Sequence, residues 1–88
     1  MASVSEIVNE LESTKSQLEQ AKTANDGAGQ QTDEMITQIE GMELDDAAEG
    51  LRTLKSQIEA MGEQIVALAA GVDELVSAAE SLRNNTSG

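Results

Sequence analysis

The fold is decided by residues 44–82, LDDAAEGLRTLKSQIEAMGEQIVALAAGVDELVSAAESL. Apolar residues recur in this stretch at alternating steps of three and four, which is the spacing of one face of an α-helix. When sevens are counted with Leu44 as position a of a heptad a–g, every a and d position is apolar. These positions are Leu44, Ala47, Leu51, Leu54, Ile58, Met61, Ile65, Leu68, Val72, Leu75, Ala79 and Leu82.

A weaker heptad series precedes this stretch. With Val4 as position a, its a and d positions run to Met42 and are clearly apolar at the two ends, 4–18 and 35–42. The second series is shifted by two residues, which rotates the apolar stripe by roughly 200° at 100° per residue. Because one straight helix cannot keep both stripes on one face, we expect a turn between them.

The predicted fold is therefore all-α, an antiparallel helical hairpin in a single domain of residues 1–88. We expect helix 1 at about 3–42, a turn at about 42–46, helix 2 at about 46–83 and a polar tail at 84–88.

The two segments match each other at an offset of 40 residues. LESTKSQLE at 11–19 aligns with LRTLKSQIE at 51–59, and DEMITQIEGM at 33–42 aligns with DELVSAAESL at 73–82. A shared acidic heptad composition explains the apolar matches, but it does not easily place KSQ and DE at the same offset. We interpret the match as a genuine repeat whose unit is one helix.

Local sequence signals support the predicted start of helix 1 but disfavour helical structure in its middle. Ser3 and Glu6 form the S-x-x-E pattern of a capping box. Residues 25–31 include Gly27 and Gly29, and two glycines cost a helix about 2 kcal/mol relative to alanine. We expect helix 1 to break locally at 25–31, with a continuous helix as the alternative.

Composition excludes several classes of function. The chain has 17 acidic and 5 basic residues, a net charge of −12, and no histidine, cysteine, proline or aromatic residue. The usual general base and the commonest ligand of transition metals, histidine, are thus missing, as are cysteine thiolates, and nucleic acids and anionic membranes are poor partners. We predict no enzyme activity, no catalytic residue, no cofactor and no metal site. One alternative is a calcium-responsive cluster of the eight carboxylates between Lys22 and Arg52.

The most informative stretch for function is IVALAAGV at 65–72, which is apolar on every side. A helix that is apolar all round is buried all round, and one hairpin partner cannot cover it. We predict self-association into a homodimer or a higher even oligomer, as a four-helix bundle, with another helical protein as the alternative partner. The candidate interface residues are Ile58, Met61, Ile65, Val66, Leu68, Ala69, Ala70, Val72 and Leu75.

This acidic, cysteine-free pattern of two equal helices resembles the WXG or early-secreted-antigen family of small helical hairpins. The W-x-G turn of that family would fall at Ile39, Glu40 and Gly41, where the glycine matches, and its C-terminal tyrosine signal has no counterpart. The resemblance implies export by a type VII secretion system and a homo- or heterodimeric four-helix bundle. The chain also looks like small, acidic, Ala-rich helical proteins of actinobacteria, a resemblance that implies no function.

The residues themselves predict a non-enzymatic interaction or scaffolding module that acts through helix–helix contacts. We expect a cytoplasmic location because the start of the chain lacks the pattern of a secretory signal, with export independent of a signal peptide as the alternative. The longest apolar run has eight residues, whereas a membrane span needs roughly 20.

Overall fold

The computed structural model describes residues 3–86, which form two α-helices packed against each other as an antiparallel hairpin 68 Å long. Helix α1 spans Val4–Gly41 and helix α2 spans Asp45–Thr86. No strand occurs in this part of the chain, and the predicted all-α helical hairpin is confirmed. Helix α2 continues past residue 83, into the predicted tail, and the end of that tail lies outside the described residues.

Helix α1 begins with a side-chain cap. The hydroxyl of Ser3 accepts a hydrogen bond of 3.2 Å from the backbone N–H of Glu6, and the Ser3 carbonyl accepts one of 3.1 Å from the N–H of Ile7. The side-chain bond satisfies one of the donors that a helix start leaves without a partner. The sequence pattern at this end thus fixes where α1 begins.

The turn between the helices is a Schellman motif that lacks the usual glycine. The N–H of Glu43 donates to the carbonyl of Glu40, and the N–H of Leu44 donates to the carbonyl of Ile39. Glu43 has a φ of 60°, the left-handed region that glycine adopts without steric cost. Helix α2 follows at once, because the N–H of Ala48 already donates to the carbonyl of Leu44.

Replacing Glu43 with glycine should therefore raise the free energy of unfolding by about 1 kcal/mol, since it removes the Cβ from a left-handed residue. Glu43→Ala is the matched control, because it removes the same charge and keeps the Cβ. Urea unfolding followed by circular dichroism measures both. An equal gain in the two variants would mean that charge, and not backbone conformation, limits the turn.

The predicted break in α1 at 25–31 is wrong, because the helix is continuous through it. The two helices approach closely at this point. A Cβ on Gly29 would lie 3.6 Å from Ile58, and one on Gly62 would lie 3.0 Å from Nδ2 of Asn25. Nδ2 of Asn25 also donates a hydrogen bond of 2.8 Å to the carbonyl of Ile58. Interhelical packing and this bond offset the low helix propensity of the segment.

The contact between the helices uses positions a and e, whereas the sequence pattern predicted a and d. Every a and e position between residues 4 and 39 and between residues 48 and 79 is buried or half-buried. The d positions are exposed, except for the half-buried Ala28. Within the described residues the buried apolar side chains are Val8, Ala48 and Val72. The hairpin alone thus has a thin core.

Lysines at position e form ion pairs across this contact. Nζ of Lys15 lies 2.8 Å from a carboxylate oxygen of Asp73, and Nζ of Lys55 lies 2.6 Å from one of Asp33. The hydrogen bond with Asp73, helped by the charge of that carboxylate, raises the pKa of Lys15. The aliphatic stems of such lysines can lie between helices while their ammonium groups reach the edge.

The two ion pairs are equivalent under the 40-residue repeat. Lys15 corresponds to Lys55, and Asp33 corresponds to Asp73. Each helix therefore supplies one lysine and one aspartate to the same pair of cross-helix bonds. This gives a physical reason for KSQ and DE to recur at one offset.

Candidate interaction surface

The hairpin has two different long sides. Positions a and e of each helix face the other helix. Because successive residues are rotated by 100° about the helix axis, position d lies about 80° to one side of that direction and position b about 80° to the other. Because the helices are antiparallel, the same letter falls on the same side of the hairpin in both. An open groove between the helices is indeed lined by b positions of both, Asp26 and Asp33 of α1 with Glu59 and Val66 of α2.

The side of the b positions, called here the charged face, is strongly acidic. All five basic residues of the chain lie at e or b. They therefore lie either in the seam, which is the a/e contact between the two helices, or on this face. Besides the two pairs above, Arg52 bonds to Glu40, and Arg83 donates to Oγ of Ser5 at 3.3 Å. The b positions are Ser5, Glu12, Glu19, Asp26, Asp33, Glu40, Asp45, Arg52, Glu59, Val66, Asp73 and Glu80.

The side of the d positions, called here the apolar face, carries a row of large apolar side chains on α2. This row, the α2 stripe, consists of Leu54, Met61, Leu68, Leu75 and Leu82, which are 42 to 60% exposed. Single exposed leucines are common on proteins and need no explanation, whereas a contiguous apolar row marks a contact surface. A strict spacing of seven residues lets a second helix follow the row over its whole length.

On α1 the apolar face is uneven. Its large exposed side chains lie towards the two ends, at Ile7, Met35 and Met42. Between them lies a trough of small residues, the α1 trough, formed by Thr14, Ala21 and Ala28. The register fixed by the two lysine–aspartate pairs places Ala21 beside Leu68 and Ala28 beside Met61. The apolar face thus has a ridge along α2 and a trough along the middle of α1.

The outer border of the apolar face is nearly free of charge. It is formed by the g positions, of which Glu10 alone carries a charge between residues 10 and 78. Gly50 and Gly71 are two of them, and a Cβ on either would meet no atom within 4 Å. The g positions are Glu10, Gln17, Ala24, Gln31, Gln38, Gly50, Gln57, Gln64, Gly71 and Ala78.

The structure divides the nine interface residues predicted from the sequence. Four of them lie in the seam between the two helices: Ile58, Ile65, Ala69 and Val72. Three lie in the α2 stripe: Met61, Leu68 and Leu75. The other two are exposed on the opposite side, with Val66 on the charged face and Ala70 next to it.

Leu54 and Leu82 belong to the apolar a and d series of the sequence but not to the nine predicted interface residues, and both are exposed in the α2 stripe. The signal that could have separated them was the lysines at e together with acidic residues at b. That combination permits ion pairs along an a/e seam, although exposed pairs of this kind contribute little to stability.

Two other properties of residues 3–86 bear on the kind of site. No three acidic side chains in this range converge closely enough to hold a metal ion. Neither described helix has the length and hydropathy that crossing a membrane requires.

Comparisons of the chain with protein families, with curated proteins and with solved structures gave no match.

Proposed function

We propose that this protein is a non-enzymatic helix–helix interaction module that acts by self-association and docking through its apolar face. The observation that carries the proposal is the α2 stripe, five large apolar side chains exposed at intervals of seven residues. In a four-helix bundle each helix contacts two neighbours and buries two of its sides. Here the a and e positions serve the hairpin, and the d positions are left for a second contact.

The thin core supports the same proposal. An isolated chain of 88 residues buries little surface, and the described part buries few apolar side chains. Covering the half-exposed side chains of the α2 stripe would contribute roughly 1 kcal/mol for each residue. Association would thus supply apolar burial that the hairpin lacks alone, and we expect a homodimer in the form of a four-helix bundle.

Leu68→Glu tests the proposal, because it places a carboxylate in the middle of the α2 stripe. We expect the dimer dissociation constant to rise by about 100-fold, since the charge would be buried without a partner. The measurement is sedimentation velocity over a range of micromolar concentrations, with circular dichroism to monitor the helix content.

Val66→Glu is the matched control. Val66 lies two residues away on the same helix, and its exposure of 55% is close to the 59% of Leu68. The two variants have the same net charge, but Val66 lies on the charged face, so this substitution should leave the dimer intact. A monomeric wild-type protein, or equal weakening by both substitutions, would contradict the proposal.

A second candidate function is that of a secreted WXG-like hairpin or its dimerisation partner. The supporting observation is two antiparallel helices of 38 and 42 residues, with Gly41 ending α1 directly before the turn. A gene for a membrane-embedded secretion ATPase beside this one, and loss of the protein from culture medium when that ATPase is deleted, would favour this function. Retention in the cell in both strains would exclude it.

A further inference from the structure

We infer that a second copy of this chain occupies the apolar face and is related to the first by a two-fold axis parallel to the helices. The middle of the α2 stripe of each copy, Met61 to Leu75, then lies on the α1 trough of the other, and both turns lie at the same end of the bundle. This inference rests on the proposed self-association and specifies its geometry.

Shape complementarity is the first argument. A two-fold axis along the helices keeps each row of the apolar face at its own height and exchanges α1 with α2. Leu68 of one copy then lies over Ala21 of the other, and Met61 lies over Ala28. Large side chains fill the positions where the facing helix is small, as close packing requires.

The border residues fit the same arrangement. It places Gly71 of one copy opposite Gln17 of the other, and Gln64 opposite Ala24. Gly50 and Gly71 have open space beyond them within their own chain. A glutamine from a second copy would fill that space, so a long residue meets a small one at the border as well as at the centre.

Charge and area select a second copy as the occupant. A chain of net charge −12 can approach another copy closely only where charge is missing, and the apolar face with its border is such a surface. A basic partner would instead be attracted to the charged face. The hairpin measures 68 by 17 Å, a footprint on the order of 1,000 Å² for each copy, and stable dimers bury about 800 Å² on each partner.

The competing arrangement turns the second copy end over end. It sets ridge on ridge and trough on trough, which leaves the troughs unfilled. Its advantage is that it places the two acidic turns at opposite ends of the bundle, whereas the inferred arrangement brings them to the same end. Those turn carboxylates are exposed, and the Debye length at physiological salt is about 8 Å, so their repulsion is largely screened. The inferred dimer should therefore tighten as salt concentration rises.

Pulsed EPR on the full chain distinguishes the two arrangements. The protein has no cysteine of its own, so one introduced cysteine gives one labelled site. Spin labels are attached in two separate variants, Glu43→Cys at the turn and Asn9→Cys near the open end. Both residues are exposed, and neither lies on the apolar face. Adjacent bundle helices lie 8–10 Å apart, so we expect distances between copies of about 15–30 Å in both variants. Dilution with unlabelled protein should remove the signal.

Distances close to the 68 Å length of the hairpin would overturn this arrangement and leave self-association standing. A monomer without any distance between copies would overturn both.

A size swap gives an independent result. In the inferred dimer, Ala21→Leu sets leucine against leucine and should raise the dissociation constant at least tenfold, and Leu68→Ala should raise it as well. The double variant restores one large and one small residue in each facing pair and should recover most of the affinity. Tighter binding by Ala21→Leu alone would overturn the arrangement, because a filled trough is what the end-over-end dimer predicts.

Discussion

Replacing Val76 with aspartate should lower the free energy of unfolding by about 2–3 kcal/mol. Val76 occupies an e position in the half-buried seam between the helices. A carboxylate there would lose water and would lie on the same helix side as Asp73 and Glu80, one turn away in each direction. Both desolvation and like-charge repulsion therefore act against the folded hairpin.

The adjacent substitution Ser77→Asp is the matched control for Val76→Asp. It produces the same net charge on the same turn of α2, but Ser77 is an exposed f position. We expect a change within about 0.5 kcal/mol, as is usual for surface positions. Urea unfolding should be compared at one fixed protein concentration, because dimerisation would contribute to stability. Equal effects of the two substitutions would contradict the a/e seam.

Two identical glycine-to-alanine substitutions should have opposite effects, separated by about 2 kcal/mol. Gly27→Ala should raise the free energy of unfolding by about 0.5–1 kcal/mol, because alanine is the better helix former and the position is open. Gly62→Ala has the same helix-propensity gain, but the new Cβ would lie 3.0 Å from Nδ2 of Asn25, and displacing that amide should cost about 2 kcal/mol, which leaves a net loss of about 1 kcal/mol.

The opposite sign at Gly62 depends on Asn25. Its amide is held by the bond to the Ile58 carbonyl and can move away only by weakening that bond. Thermal unfolding followed by circular dichroism gives both values. The double variant Gly62→Ala with Asn25→Ala provides a further check, because removing the amide should relieve the close contact. A stabilising Gly62→Ala would show that the helices separate at that point at little cost.

The contacts of Asn25 and Gly62 explain why local propensity misjudged the middle of α1. Glycine and asparagine are poor helix residues in isolation, and the sequence around 25–31 therefore predicted a break. In the hairpin, Gly29 and Gly62 lie where the helices approach closely, and Asn25 bonds across the gap. The segment is helical because a neighbouring helix is present, which propensity does not describe.

The candidate interaction surface was predictable only in part, because a heptad pattern shows which positions are apolar but not which of them contact the other helix. The heptad pattern identified the apolar positions, and three of the nine predicted interface residues, Met61, Leu68 and Leu75, are exposed in the α2 stripe. The pattern could not assign Ile58 to the seam and Leu54 to the surface, because both are apolar members of one series. Positions d, a and e together cover an arc of about 100°, which is wider than one helix neighbour can bury.

The sequence by itself determined that the chain is helical, that it turns near residue 43 and that α1 begins after Ser3. Each of these features follows from local causes, namely heptad period, phase shift and side-chain capping. Only the tertiary structure decided which part of the apolar arc forms the hairpin. The close approach at Gly62 and the lysine–aspartate bonds between α1 and α2, such as Lys15 with Asp73, all lie along the a/e side. Such contacts exist only once the two helices lie side by side, and they leave the α2 stripe exposed.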